Sequence, residues 1–170
     1  MNDTDDVSIP EFLSQLDAGW AELQAFIASL TAEQLTVPTD AAGWTVKDHL
    51  IHLAVWEDGM NAVLARQSRR ERMGIPIELW GGDDYDALNA VIQQKHHADS
   101  LESVLATLDR VHAELRGRIA ALSTTDMLAP YSDYQPDSTS TNPIVGSLAG
   151  NSFGHYEEHI PWMQAIVDQS

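Results

Sequence analysis

A chain of 170 residues, 44% hydrophobic and with a formal net charge of −17, is long enough for one domain with a real core, spanning 1–170. Nine Lys and Arg against 26 Asp and Glu leave few cations to meet a phosphate backbone, so nucleic acid is not an expected partner. The absence of cysteine excludes disulfides, thiolate nucleophiles and thiolate metal sites, and no apolar run approaches the roughly 20 residues of a membrane span.

The acidic start, Met1 to Asp6, lacks the basic and apolar regions of a signal peptide, so the expected compartment is the cytoplasm, with no membrane partner. Ser8-Ile9-Pro10-Glu11 reads as a capping box with proline in the first turn. Phe12, Leu13, Leu16, Trp20, Leu23, Ile27 and Leu30 then recur at helical spacing. Thr31 to Gln34 predicts a short extra turn that Pro38 stops. Thr45, with Asp48 at the box position, predicts the start of a second long helix running to about Arg69. The four arginines between Arg66 and Arg72 suit its C-terminal end.

Arg70 to Gly82 reads as a loop over one end of a bundle. A helix from Asp83 or Asp84 follows, then another after Ser100 through Leu122, and the two could be one bent helix. The stretch 123–141 is rich in Ser, Thr, Asp and Pro and reads as a loop. Asn142-Pro143 opens the last helix, in which Pro161 predicts a kink. Four main helices with apolar stripes and no strand pattern point to an all-α four-helix bundle with long loops and short accessory helices.

Within that pattern, Asn151, His155 and His159 fall on the stripe that holds Ile144, Leu148, Trp162 and Ile166, and His52 faces its own helix's apolar stripe. An unpaired buried imidazole costs roughly 1–3 kcal/mol, and a metal ion is one partner that satisfies several at once. Three imidazoles with an open position suit Zn²⁺, Ni²⁺ or Fe²⁺, not Ca²⁺ or Mg²⁺. The bland alternative is three core histidines bonded to carbonyls or carboxylates. His49 lies about 60° from His52 on the helical wheel and reads as a solvent-edge residue. His96, His97 and His112 read as surface residues, and Asp48 as a cap. Asn151 and Glu158 are the candidate catalytic polar groups, although Glu158 also reads as a solvated helix residue.

The segment from Gly43 to Trp56 (GWTVKDHLIHLAVW), followed by Ala149 to His159 (AGNSFGHYEEH), resembles the DinB-like four-helix bundle superfamily, and the second stretch most resembles its ClbS/DfsB-type branch. The resemblance covers essentially the whole chain in helix order. It implies a histidine on the second helix and an H-x-x-x-H pair on the last as metal ligands, which map onto His52, His155 and His159. It also implies a frequently dimeric bundle, a divalent metal (Zn or Ni), and thiol-dependent transferases or isomerases among the active members. Because the chain has no cysteine, such a thiol would be an external low-molecular-weight one.

Three functions compete at this stage. The first is a metal-dependent hydrolase or thiol-dependent transferase acting on a small molecule. The second is a ClbS-like, metal-independent protective protein that binds or hydrolyses a reactive metabolite, with Trp44, Trp56, Trp80 and Tyr85 lining its cavity. The third is a bundle without chemistry. The loops 74–82 and 123–141 are expected to cover the site.

Overall fold

The computed structural model describes residues 8–169, so the acidic stretch Met1–Asp6 lies outside the described residues. In chain order come α1 (Ile9–Ala28), α2 (Ala32–Thr36), α3 (Val46–Leu64), α4 (Arg69–Met73), a 3₁₀ turn (Ile77–Leu79), α5 (Tyr85–His96), α6 (Leu101–Ala120), α7 (Thr124–Leu128), α8 (Tyr131–Tyr134), α9 (Ile144–Gly150) and α10 (Phe153–Asp168). The described residues contain no strand, only two isolated bridges, Thr39 with Thr45 and Pro130 with Pro143. None of their helices is long and apolar enough to cross a membrane.

The four long helices α1, α10, α3 and α6 pack in a closed ring, each against two others, which makes the all-α four-helix bundle. Leu16 and Leu23 of α1, Leu50 and Leu53 of α3 and Leu108 and Leu115 of α6 are fully buried between them. Gly19 lets α1 and α10 approach closely, since a methyl group there would sit 2.8 Å from Phe153 Cβ.

Helix α3 is the most enclosed element, because α2, α4 and α5 also pack on it. Fifteen of its 19 residues are buried, including Lys47, Asp48, His49, His52, Glu57 and Asn61. Its start is fixed by a reciprocal capping box. The Asp48 backbone N–H donates to Thr45 Oγ1 at 3.1 Å, and Asp48 Oδ2 accepts from the Thr45 N–H at 2.9 Å. Thr45→Ala is expected to lower stability by about 1–2 kcal/mol in urea unfolding, since the cap is buried.

Several boundaries differ from expectation. The second long helix ends at Leu64, and Arg66 takes φ 55° before α4 begins. Gly74, at φ 69°, then closes α4 in the left-handed conformation. Helices α5 and α6 are separate, divided at 97–100. The Ser/Thr-rich stretch holds α7 and α8, each one turn long. The last helix is interrupted at Asn151-Ser152, whereas α10 runs unbroken through Pro161. Ser152 supplies the reason for the break: its backbone leaves the helical region (φ −133°, ψ −112°), while its hydroxyl donates to the Leu148 carbonyl.

Candidate metal centre

Helix α3 contributes His49 and His52, and α10 contributes His155 and His159. His52 Nε2 lies 3.2 Å from His155 Nε2, and His49 Nδ1 lies 2.9 Å from His159 Nδ1. In each pair one nitrogen carries the hydrogen and the other accepts it. His52, His155 and His159 each offer a ring nitrogen, and these three atoms lie within 4.8 Å of one another. The three histidines singled out by sequence therefore converge.

All four imidazoles are driven toward the uncharged form. Burial, then the neighbouring His155 and His159, holds His52 well below its ordinary pKa. Burial and the nearby Arg69 push His155 down to about 4. Burial and the adjacent His155 and His49 push His159 down to about 2. His49 is lowered by burial against the opposing pull of Asp40. The Asp40 carboxylate stands 3.7 Å from His49 Nε2, an attraction too long for a hydrogen bond. It favours the tautomer with hydrogen on His49 Nε2, so that His49 Nδ1 accepts from His159 and leaves His159 Nε2 with a free lone pair.

Metal binding needs neutral imidazoles, and these are neutral. Two nitrogens held at about 2.0–2.1 Å from a tetrahedral ion stand roughly 3.3 Å apart, which the 3.2 Å between His52 and His155 already matches. Nδ1 of His52 and Nδ1 of His155 are buried without a partner. The donor set therefore fits a Zn²⁺- or Ni²⁺-type ion, once the third nitrogen draws in from its wider position.

The same shifts make stability depend on pH in the metal-free protein. Unfolded, these imidazoles take up protons near 6.5, whereas the folded cluster resists until about 4 at His155. The unfolded state then binds more protons as pH falls, so stability is expected to drop by a few kcal/mol from about pH 6.5 to about pH 4. Urea midpoints across that window check this, and a His155→Ala variant should show a flatter profile.

The histidines open on a cavity of about 890 Å³. Asn151 lines it, with its Oδ1 accepting from Arg69 at 2.7 Å and its Nδ2 donating to the Ser147 carbonyl at 2.8 Å. Glu158 lines it from the exposed side of α10. Trp44, Trp56 and Tyr85 also line it, but Trp80 does not; Trp80 packs instead near Met73, Ile75 and Leu88. The wall comes from the 40–44 turn and from α5, not from the loops 74–82 and 123–141.

Two histidines were misplaced by sequence. His49 is 6% exposed and belongs to the cluster, because the 40–44 turn and α10 cover the edge that an isolated helical wheel leaves open. His112 is buried, not on the surface, and its Nδ1 lies 3.1 Å from both Glu57 Oε1 and the Tyr156 hydroxyl. It sits at i+4 from Leu108 and i−3 from Leu115, a stripe position that would have revealed it. Of the remaining two, His96 is half-buried against Asp99 and His97 is exposed beside Asp48, which caps α3 as expected.

No protein of curated description matches the chain. Solved structures do. An uncharacterised protein from Escherichia coli UTI89 superposes with TM-score 0.68 at 16% identity, covering 95% of this chain and 94% of that one. A protein from Streptococcus pneumoniae gives 0.68 at 17% identity, with 95% and 93% covered. The colibactin self-resistance protein ClbS, crystallised with double-stranded DNA, gives 0.71 at 14% identity, with 96% and 98% covered. Likeness at this level speaks for the fold.

The ClbS complex overturns the expectation that nucleic acid is no partner class, since a chain of this fold is held there with double-stranded DNA. Net charge is a sum over the whole surface, whereas phosphate contacts need only a local cluster. A total of −17 therefore excludes less than it first implies. Family membership rests on sequence as well as shape: the family model described as the DinB superfamily matches residues 15–164. The chain belongs to the DinB superfamily.

Proposed function

We propose that this protein is a divalent-metal-dependent enzyme acting on a small molecule, of the hydrolase or thiol-dependent transferase type, with His52, His155 and His159 as ligands. The observation that carries this reading is the meeting of three imidazoles from α3 and α10, those of His52 and His159 buried and that of His155 half-buried, on the wall of an open cavity. An ion held there supplies Lewis acidity and brings the pKa of an incoming water or thiol down toward neutral. The chain has no thiol of its own, so a thiol reactant comes from outside.

The protein's own groups have separable tasks in this reading. His49, backed by Asp40, keeps His159 in the tautomer that frees Nε2. Asn151, clamped by Arg69 and Ser147, retains one N–H and one lone pair to orient a substrate. Glu158, exposed at the cavity edge, exchanges protons between a bound reactant and solvent.

Calorimetric titration of untagged, chelator-stripped protein with Zn²⁺ and Ni²⁺ tests the proposal. One ion per chain is expected, with proton release small because the ligands are already neutral. Absence of uptake would overturn the metal-dependent reading, and activity indifferent to chelator would favour the metal-independent protective one.

A further inference from the structure

Two exposed aromatic rings and two unpaired carboxylates at the cavity have no task in holding a metal. Tyr85 is 60% exposed and Trp162 is 50% exposed, and both line the cavity. The Tyr85 ring lies 6.4 Å from that of Trp56, whose indole N–H donates to Asn89 at 3.1 Å and so fixes its plane. On the other side, the Trp162 ring lies 4.7 Å from that of His159. Asp86 and Glu158 line the same space and have no hydrogen-bond or ion-pair partner among the described residues.

We infer that this cavity binds a small molecule bearing an organic cation, such as a quaternary or protonated amine, between the faces of Trp56, Tyr85 and Trp162, with Asp86 and Glu158 balancing its charge. The inference rests on the reading of this cavity as the substrate site. Aromatic faces carry a negative quadrupole that attracts cations, most strongly where water is partly excluded. No Lys or Arg is among the residues that line the cavity, which leaves carboxylates, Asp86 and Glu158 among them, as its charged lining groups. Arg69, 5.2 Å from the Trp56 ring, is already tied to Asn151 and lies outside the lining.

The surroundings point the same way. His52, among the residues that line the cavity, is 3% exposed. The chain's charge of −17 draws cations toward the surface and focuses them in a cleft.

Three probes of one shape test this: choline, the neutral 3,3-dimethylbutan-1-ol and the anionic 3,3-dimethylbutanoate. Each is titrated by tryptophan fluorescence into the metal-free and the Zn²⁺-loaded protein. Choline is expected to bind about tenfold more tightly than the alcohol, with no detectable binding of the butanoate. Glu158→Gln and Asp86→Asn should each weaken choline about three- to tenfold and leave the alcohol unchanged. Glu157→Gln, exposed on α10 but outside the lining, should change neither.

Equal affinity for choline and the alcohol, preference for the butanoate, or no choline binding in either form would overturn the inference. Metal uptake is read separately by calorimetry. Choline binding without metal uptake would sink the metal-dependent reading alone, and metal uptake without choline binding would sink this one alone.

Discussion

Replacing His155 with alanine is expected to lower Zn²⁺ affinity by more than about 100-fold, with His52→Ala and His159→Ala behaving alike. Changing a group that merely supports a ligand typically costs 10–100-fold, and losing a ligand outright costs more. His49→Ala belongs to the milder class, because it removes the partner that sets the His159 tautomer and leaves all three candidate ligands in place. Calorimetric titration of the four variants, with far-ultraviolet circular dichroism to check folding, separates the two classes. Affinity unchanged in His52→Ala or His155→Ala would show that any bound ion sits elsewhere. These two variants are the decisive ones, because the two nitrogens already at tetrahedral spacing belong to His52 and His155.

Glu57→Ala is expected to destabilise the bundle by roughly 3–5 kcal/mol, the usual cost of breaking a buried ionisable pair from one side. Glu57 is fully buried, and its carboxylate accepts from the Tyr156 hydroxyl at 2.7 Å. Its other oxygen lies 3.1 Å from His112 Nδ1, and the His112 ring stacks on Trp20 at 3.8 Å. One residue from each long helix thus joins a single polar centre: Trp20 from α1, Glu57 from α3, His112 from α6 and Tyr156 from α10. Burial raises the Glu57 carboxyl above its ordinary range, and His112 and Tyr156 only partly offset that. Truncation leaves His112 and Tyr156 in the core with only their mutual contact at 3.1 Å. Tyr156→Phe removes the hydroxyl's contacts with Glu57 and His112 but leaves the Glu57–His112 pair, and should cost less, about 1–2 kcal/mol. Urea unfolding of both variants and of the double mutant checks this, with a coupling term expected from groups in direct contact. A loss below about 1 kcal/mol for Glu57→Ala would show the centre to be energetically idle.

These two clusters differ in how far the sequence reveals them. His155 and His159 share a face because four residues make about one helical turn, and both lie on α10, so the break at Asn151-Ser152 does not separate them. That same break removes Asn151 from their helix. It reaches the cavity from the end of α9, held by Arg69, a contact across 82 positions that no periodicity contains. Glu57 stands at i+4 from Leu53 and i−3 from Met60, and so was readable as an inward residue. Its partners were not, because each comes from a different helix.

The nucleic-acid expectation failed for a related reason. Composition counts charges without placing them, and the ClbS complex shows that this fold tolerates a DNA partner. The covering loops failed likewise, since chain length and polarity do not say over which end of a bundle a segment folds.

Short-range order along the chain was enough to establish the all-α class, the caps at Ser8 and Thr45, and the inward direction of His52, because helix periodicity and capping act over three or four residues. Whether His49 is wet or dry, which wall faces the histidines and which partner Glu57 meets depended on the packing of distant segments. Burial is a property of neighbours, and a residue's neighbours in a bundle come from other helices.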